Sequence, residues 1–91
     1  VIPYAEINRR LLPRALSLLQ QWAPGGVTKG NEYICRCPWR SDRSIGSFSV
    51  NLVTGRFYDF ATKEAGRDLI TFYARCNGIN NSDAARELQY L

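Results

Sequence analysis

Apolar and polar residues alternate most strictly over Ser47, Phe48, Ser49, Val50, Asn51 and Leu52, which predicts a strand with one buried face and one wet face. Thr54-Gly55 follows as a turn, with Gly55 at the natural left-handed position, and Arg56 to Phe60 returns as the partner strand of a hairpin. A third strand is predicted over Asn31 to Cys37, carried by Tyr33 and Ile34 and closed by Pro38, which has no N–H to give to a ladder. Alternation places Cys35 and Cys37 on one face of it with Tyr33.

Helical spacing takes over on both sides of this strand-rich centre. Ile7, Leu11, Leu12, Ala15, Leu16, Leu18, Leu19 and Trp22 recur at intervals of three and four, the mark of a buried helical face. Pro13 interrupts the run, so one helix is expected to end near Leu11 and a second to start at Pro13. Ala23-Pro24-Gly25-Gly26 ends the second, and Val27 to Gly30 reads as an exposed loop. After the hairpin, Asp68 can cap a helix through Cys76 with Leu69, Ile70, Phe72, Tyr73 and Cys76 inward, stopped by Asn77-Gly78. A last helix starts near Asn80 to Ser82 and shows Ala84, Ala85, Leu88 and Leu91, with Ile79 placed to staple against Ala84. The fold class expected is α+β: one domain over 1–91 with a helical region at 1–26, a small antiparallel three-stranded sheet within 31–60, and two helices within 67–91.

Length and composition narrow the setting. Ninety-one residues suit one domain, and the 45% apolar content is that of a globular chain. The start at Val1 and the unterminated pattern at Leu88 to Leu91 lead us to expect a piece of a longer protein. No run approaches the roughly 20 apolar residues of a membrane span, and no signal peptide is visible, so a soluble cytoplasmic protein without a membrane partner is expected. The net charge of +4 is carried by ten arginines and two lysines. Arginine's planar fork suits phosphate and stacks on bases, which favours a polyanionic partner.

Candidate chemistry is sparse. The chain has no His, so neither the commonest general base nor an activating partner for Cys is present. Asp42, Asp59, Glu64 and Asp68 match no two-metal spacing and read as turn, cap and surface residues, so no catalytic residues are assigned and the domain is expected to be non-catalytic. Cys35, Cys37 and Cys76 fall short of the four closed ligands of a structural zinc site and read as reduced, buried small hydrophobes. A zinc site completed by an outside ligand is the alternative for them. Arg36, Arg40, Arg43, Arg56, Lys63 and Arg67 cluster in the central stretch, interleaved with Trp39, Phe57 and Tyr58. Cations that meet phosphate beside rings that stack on bases suit a single strand. The plainer alternative makes Trp39 and the Phe residues core and the arginines a solvated rim.

At Cys37-Pro38-Trp39-Arg40 the chain acquires a family likeness. From about Gly30 to Leu91, roughly two thirds of its length, it resembles the zinc-binding domain of bacterial and phage DNA primases, the Cys-His-Cys-Cys zinc-ribbon family. That family carries a strand ending in Cys-Pro-x-His, a Pro-Ser-Phe-x-Val strand, a hairpin to an aromatic, His and Cys strand, then Cys, Gly and a Gly-Asp opening a helix. The counterparts here are CPWR at 37–40, GSFSVN at 46–51, FYDFATKEAGRDLITFY at 57–73 and the closing NNSDAARELQYL. The four ligand positions fall on Cys37, Arg40, Phe60 and Lys63, three of which cannot ligate zinc, and two of those are cationic. The resemblance therefore implies a ribbon that has lost its metal, without zinc or other cofactor, as in phage- and plasmid-type primase or primase-helicase proteins. Trp39 and Phe60 would fill the space and the Leu11 to Trp22 helix would add to the core. It further implies a non-catalytic module that reads single-stranded DNA template in replication priming, beside downstream primase or helicase domains of the same chain. A docking module within a replication protein is the competing role.

Overall fold

The computed structural model describes residues 1–41 and 45–91, so Asp42 and the candidate phosphate contact Arg43 lie outside the described residues. Helix α1 (Tyr4–Leu11) passes through a 3-10 turn (Leu12–Arg14) into α2 (Ala15–Trp22), so the chain does change register around Pro13. Proline at the second position of that turn gives up no hydrogen bond the helix needs. Ile7, Leu11, Ala15, Leu18 and Leu19 form the buried face, whereas Leu16, counted on it by spacing, is exposed.

The sheet has five antiparallel strands in the order of the chain: β1 (Val27–Lys29), β2 (Glu32–Cys35), β3 (Phe48–Asn51), β4 (Phe57–Asp59) and β5 (Ala65–Gly66). It thus exceeds the three strands expected. The segment read as a loop at 27–30 contains β1, whose three residues are all exposed and which joins β2 through the backbone alone. At the other edge the two-residue β5 pairs Ala65 with Tyr58 and Gly66 with Phe57. The predicted hairpin is present, with Gly55 at φ 81° accepting the left-handed turn.

Helix α3 (Leu69–Asn77) begins where the Asp68 carboxylate accepts from the Thr71 N–H and hydroxyl, both at 2.8 Å, and ends at Gly78 with φ 64°. Helix α4 (Asn81–Leu88) is capped by the Asn80 side chain, which accepts from Asp83 N–H. Of the residues expected inward on α3, Leu69, Ile70 and Phe72 are buried. Tyr73 and Cys76 are only half-buried, and Ala74 is buried as well.

The helices gather on α3, which contacts α1, α2 and α4, and their buried residues join one face of the sheet in a single core. Tyr33, Cys35, Phe48, Val50, Phe57 and Asp59 point toward them and are buried, while the alternating positions Glu32, Ile34, Ser49, Asn51 and Tyr58 line the other face. Trp39, Phe48, Phe57 and Phe72 form a knot in which every pair of ring centroids lies 5.2 to 5.9 Å apart. Rings at these separations add to an apolar burial of roughly 1.5–3 kcal/mol per side chain. Polar ties join the helical layer to the sheet. Tyr33 hydroxyl donates to Ala23 carbonyl at 2.6 Å and accepts from Gly26 N–H at 3.1 Å. Gly26 must lack a Cβ, since one would stand 2.5 Å from the Tyr33 ring. Asn8 on α1 donates to the Thr54 carbonyl at 3.1 Å and accepts from Leu69 N–H at 3.0 Å, bridging helix, hairpin turn and the start of α3. Among the described residues no helix is long and apolar enough to cross a membrane.

Candidate nucleic-acid interface

The CPWR corner, at the end of β2, packs against the turn that joins β4 to β5. Asp59, the last residue of β4, is fully buried, and its carboxylate receives the Arg40 guanidinium through two bonds, Nε at 2.8 Å and Nη2 at 3.0 Å. The Ala61 and Thr62 N–H groups donate to the same carboxylate at 2.9 and 3.4 Å, and Arg40 Nη2 reaches Ser47 Oγ at 3.0 Å. Arg40's hydrogen bonds hold Asp59 far below the usual carboxylate range. A second tie runs alongside. Trp39 Nε1 donates to Glu64 at 3.1 Å, and Arg75 on α3 clasps the same carboxylate at 2.7 and 3.0 Å. The Arg75 guanidinium also lies 4.8 Å from the centre of the Trp39 ring. Arg75 depresses the Glu64 carboxyl as Arg40 depresses Asp59.

These ties revise several sequence expectations. Asp59 does hold the turn, accepting from Ala61 and Thr62 N–H, but it is not a surface residue: it is the buried anchor of an ion pair. Arg40, expected on phosphate, has its guanidinium committed to Asp59 and Ser47. Trp39, expected as a stacking ring, is packed edge-on against three phenylalanines, and Phe57 is buried beneath it.

Phe60, expected to fill the metal's space, instead stands 63% exposed. Beta pleating carries the reason: Phe57 and Asp59 point inward, so Tyr58 and Phe60 point out. The same alternation could have found it in the sequence, had the phase been run one residue past Asp59.

Of the positions the resemblance aligns with ligands, Arg40 and the Phe60–Lys63 turn meet at Asp59: Arg40 bonds its carboxylate, and Lys63 N–H bonds its carbonyl at 2.7 Å to close the turn. The residues present do not fit zinc. Only Cys37 offers a ligating atom; Arg40 brings a guanidinium bound to its own carboxylate; Phe60 and Lys63 are turned to the surface. Burial pushes the Cys37 thiol up, away from the thiolate a metal needs. Cys76 is pushed up to about 12 by its burial. Among the described residues no three His, Cys, Asp or Glu side chains are gathered to hold an ion, Cys35, Cys37 and Cys76 included. This corner is tied by Arg40–Asp59 and by Trp39–Glu64–Arg75.

Among the described residues no helical residue lines the depression on the far face of the sheet. Register sets Val27, Ile34, Ser49, Tyr58 and Ala65 in one row across all five strands. Tyr58 and Phe60 meet edge to face at 4.8 Å, the Phe60 ring open to solvent. A depression of about 340 Å³ beside them is lined by Glu32, Ser49, Asn51, Arg56, Tyr58 and Phe60. Arg36, exposed just past β2, and Arg56 and Lys63 at its margins make no side-chain ion pair among the described residues. Arg67 is likewise exposed and unpaired among them, on the loop into α3. Glu32, a carboxylate on this face, accepts from the Ser49 hydroxyl and the Asn51 amide. Of the candidate residues, Arg56 and Tyr58 line this depression together with Phe60; Arg36 and Lys63 are exposed just past β2 and β4, and Arg40 and Trp39 are held in the corner.

No protein-family model and no curated protein matches the chain. Among solved structures, a similar one is the Aquifex aeolicus primase comprising its zinc-binding and RNA polymerase domains, with a TM-score of 0.77 and 25% identity over 93% of this chain. This chain spans 20% of the length of that protein. The architecture is that of a primase zinc-ribbon-like domain, α+β with an antiparallel sheet.

Proposed function

We propose that this domain is a non-catalytic, metal-free module of a primase-type replication protein that grips single-stranded DNA template on the open face of its sheet. The observation that carries the reading is the Tyr58–Phe60 pair, Phe60 exposed and Tyr58 half-buried, with Arg56 lining the same depression and Arg36 and Lys63 exposed just past β2 and β4, on a domain with a primase fold. Base-on-ring stacking tolerates any sequence and is worth roughly 1–3 kcal/mol per base, while unpaired cations neutralise the backbone without reading it. Catalysis of nucleotide joining would belong to another domain, since no His is present and the described acids at this corner are tied up in ion pairs. The setting envisaged is a cytoplasmic phage- or plasmid-type primase or primase-helicase.

Fluorescence anisotropy of labelled single-stranded DNA at two salt concentrations tests the reading. Steep loss of affinity with salt is expected, together with weaker binding in Phe60→Ala; weak binding insensitive to salt overturns it. A second reading has a specific observation behind it: Val27 and Phe60 are 53% and 63% exposed on the same side of the sheet, an apolar strip that suits docking against a neighbouring domain of the same protein. Charge reversal at Lys63 separates the two, since docking predicts unchanged DNA affinity and altered association with that neighbour.

A further inference from the structure

A second concavity lies around the edge of the sheet from the open face. It measures about 560 Å³, within the range of small-ligand sites, and is formed where β4 and β5 meet the starts of α3 and α4. Arg56 and Arg67 line it together with Phe57, Gly66, Thr71 and Asn81, and among the described residues no acidic one does. Its floor is apolar and tightly built. The Phe57 ring runs directly under Gly66, so close that a Cβ there would stand 2.1 Å from the ring. The only carboxylate next in sequence to Arg67 is Asp68, which is buried and caps α3 through Thr71. Thr71 hydroxyl donates to Asp68 and accepts from Asn81 Nδ2 at 3.2 Å, leaving the Asn81 carbonyl and its second N–H for a ligand.

We propose that this cleft is a binding site for the phosphoryl group of a nucleotide, with Arg56 and Arg67 as its cationic jaws. Two guanidinium groups without carboxylate partners, at the mouth of a partly apolar cleft, match a ligand that is anionic at one end and planar and apolar at the other. Arg56 and Phe57 also line the depression beside Tyr58, so cleft and open face are continuous over the end of β4. The phosphoryl group has two possible sources: a free nucleotide, or the backbone of a strand leaving the open face. The second source rests on the single-strand reading above; the first stands without it.

The test compares the wild-type domain, Arg67→Glu, Arg67→Lys and Phe60→Ala, each checked for unchanged thermal unfolding, against labelled ATP and against short and long oligothymidylate. Charged hydrogen bonds are worth roughly 1.5–3 kcal/mol, so Arg67→Glu is expected to weaken the phosphate ligand by about tenfold or more, with Arg67→Lys recovering part of the loss. A free-nucleotide site gives saturable ATP binding that inorganic tripolyphosphate displaces and Arg67→Glu abolishes. A backbone site gives no ATP binding, a tenfold loss for long oligothymidylate in Arg67→Glu, and no change for an oligomer too short to leave the open face. If Arg67→Glu alters neither ligand, the cleft is not a phosphate site, even where Phe60→Ala still weakens oligothymidylate. If ATP binding responds to Arg67 while Phe60→Ala leaves oligothymidylate untouched, the cleft stands and the open-face reading falls.

Discussion

Two sets of cations, close in sequence, do different work in this domain. Arg40 and Arg75 each close on a carboxylate and hold the CPWR corner against the β4–β5 turn and α3. Arg36, Arg56, Lys63 and Arg67 have no such partner among the described residues and face solvent. A basic residue's role is therefore set by what the fold puts beside it, which neither its charge nor its place in a cluster reveals. The first set ties two parts of the fold together, and the second leaves its positive charge exposed to solvent.

The comparison breaks most visibly at Asp59. Asp59→Asn removes the countercharge of a pair whose breaking costs roughly 3–5 kcal/mol when fully buried. Arg40 keeps a quarter of its side-chain exposure, so we expect about 3 kcal/mol, read as a lower urea midpoint without a change in slope. Acid should act on the same pair. Because Asp59 and Glu64 are both held below their ordinary values, their stabilisation is complete at neutral pH. It is lost only as pH falls below the usual carboxylate range; a melting temperature that falls between pH 7 and pH 6 would contradict this.

On the other side of the comparison, Phe60→Ala should leave stability within about 0.5 kcal/mol, as an exposed position does. Its effect belongs to binding: roughly 1–3 kcal/mol of single-strand affinity, measurable by titration. Arg36→Ala is the smaller probe. Each single-strand phosphate neutralised contributes roughly 0.7 to the slope of log affinity against log salt, so the slope should shrink by about that much while Arg75→Ala, matched in charge, lowers stability instead. The smallest effect expected is that of a chelator, which should leave the melting temperature where it was; a drop on dialysis against EDTA would return a metal to this corner.

Much of the scaffold can be read from the chain because its signals are local. Ser47 to Leu52 alternates since one face of β3 meets the aromatic knot, and Thr54-Gly55, Asp68 and Gly78 carry the turn and cap chemistry of their positions. The edge strands escape such reading for a physical reason. Val27–Lys29 buries no side chain, so no alternation is imposed on it, and β5 is two residues long. The corner was hidden for another reason: Arg40 and Asp59 are 19 residues apart, and no periodicity links a knuckle cation to the end of a strand. Phe60 departs from what the resemblance implies because the phase of the strand that carries it turns its ring outward.

The Asn8 amide, which links α1 to both the hairpin turn and the first N–H of α3, has a practical corollary. The leading helices belong to the ribbon's own folding unit, so a protein trimmed to begin at the first strand would uncover the greasy backs of Phe72 and Leu69 and strand a peptide donor at the mouth of α3. Anyone seeking the smallest piece that stands alone should cut before Tyr4, not after Trp22.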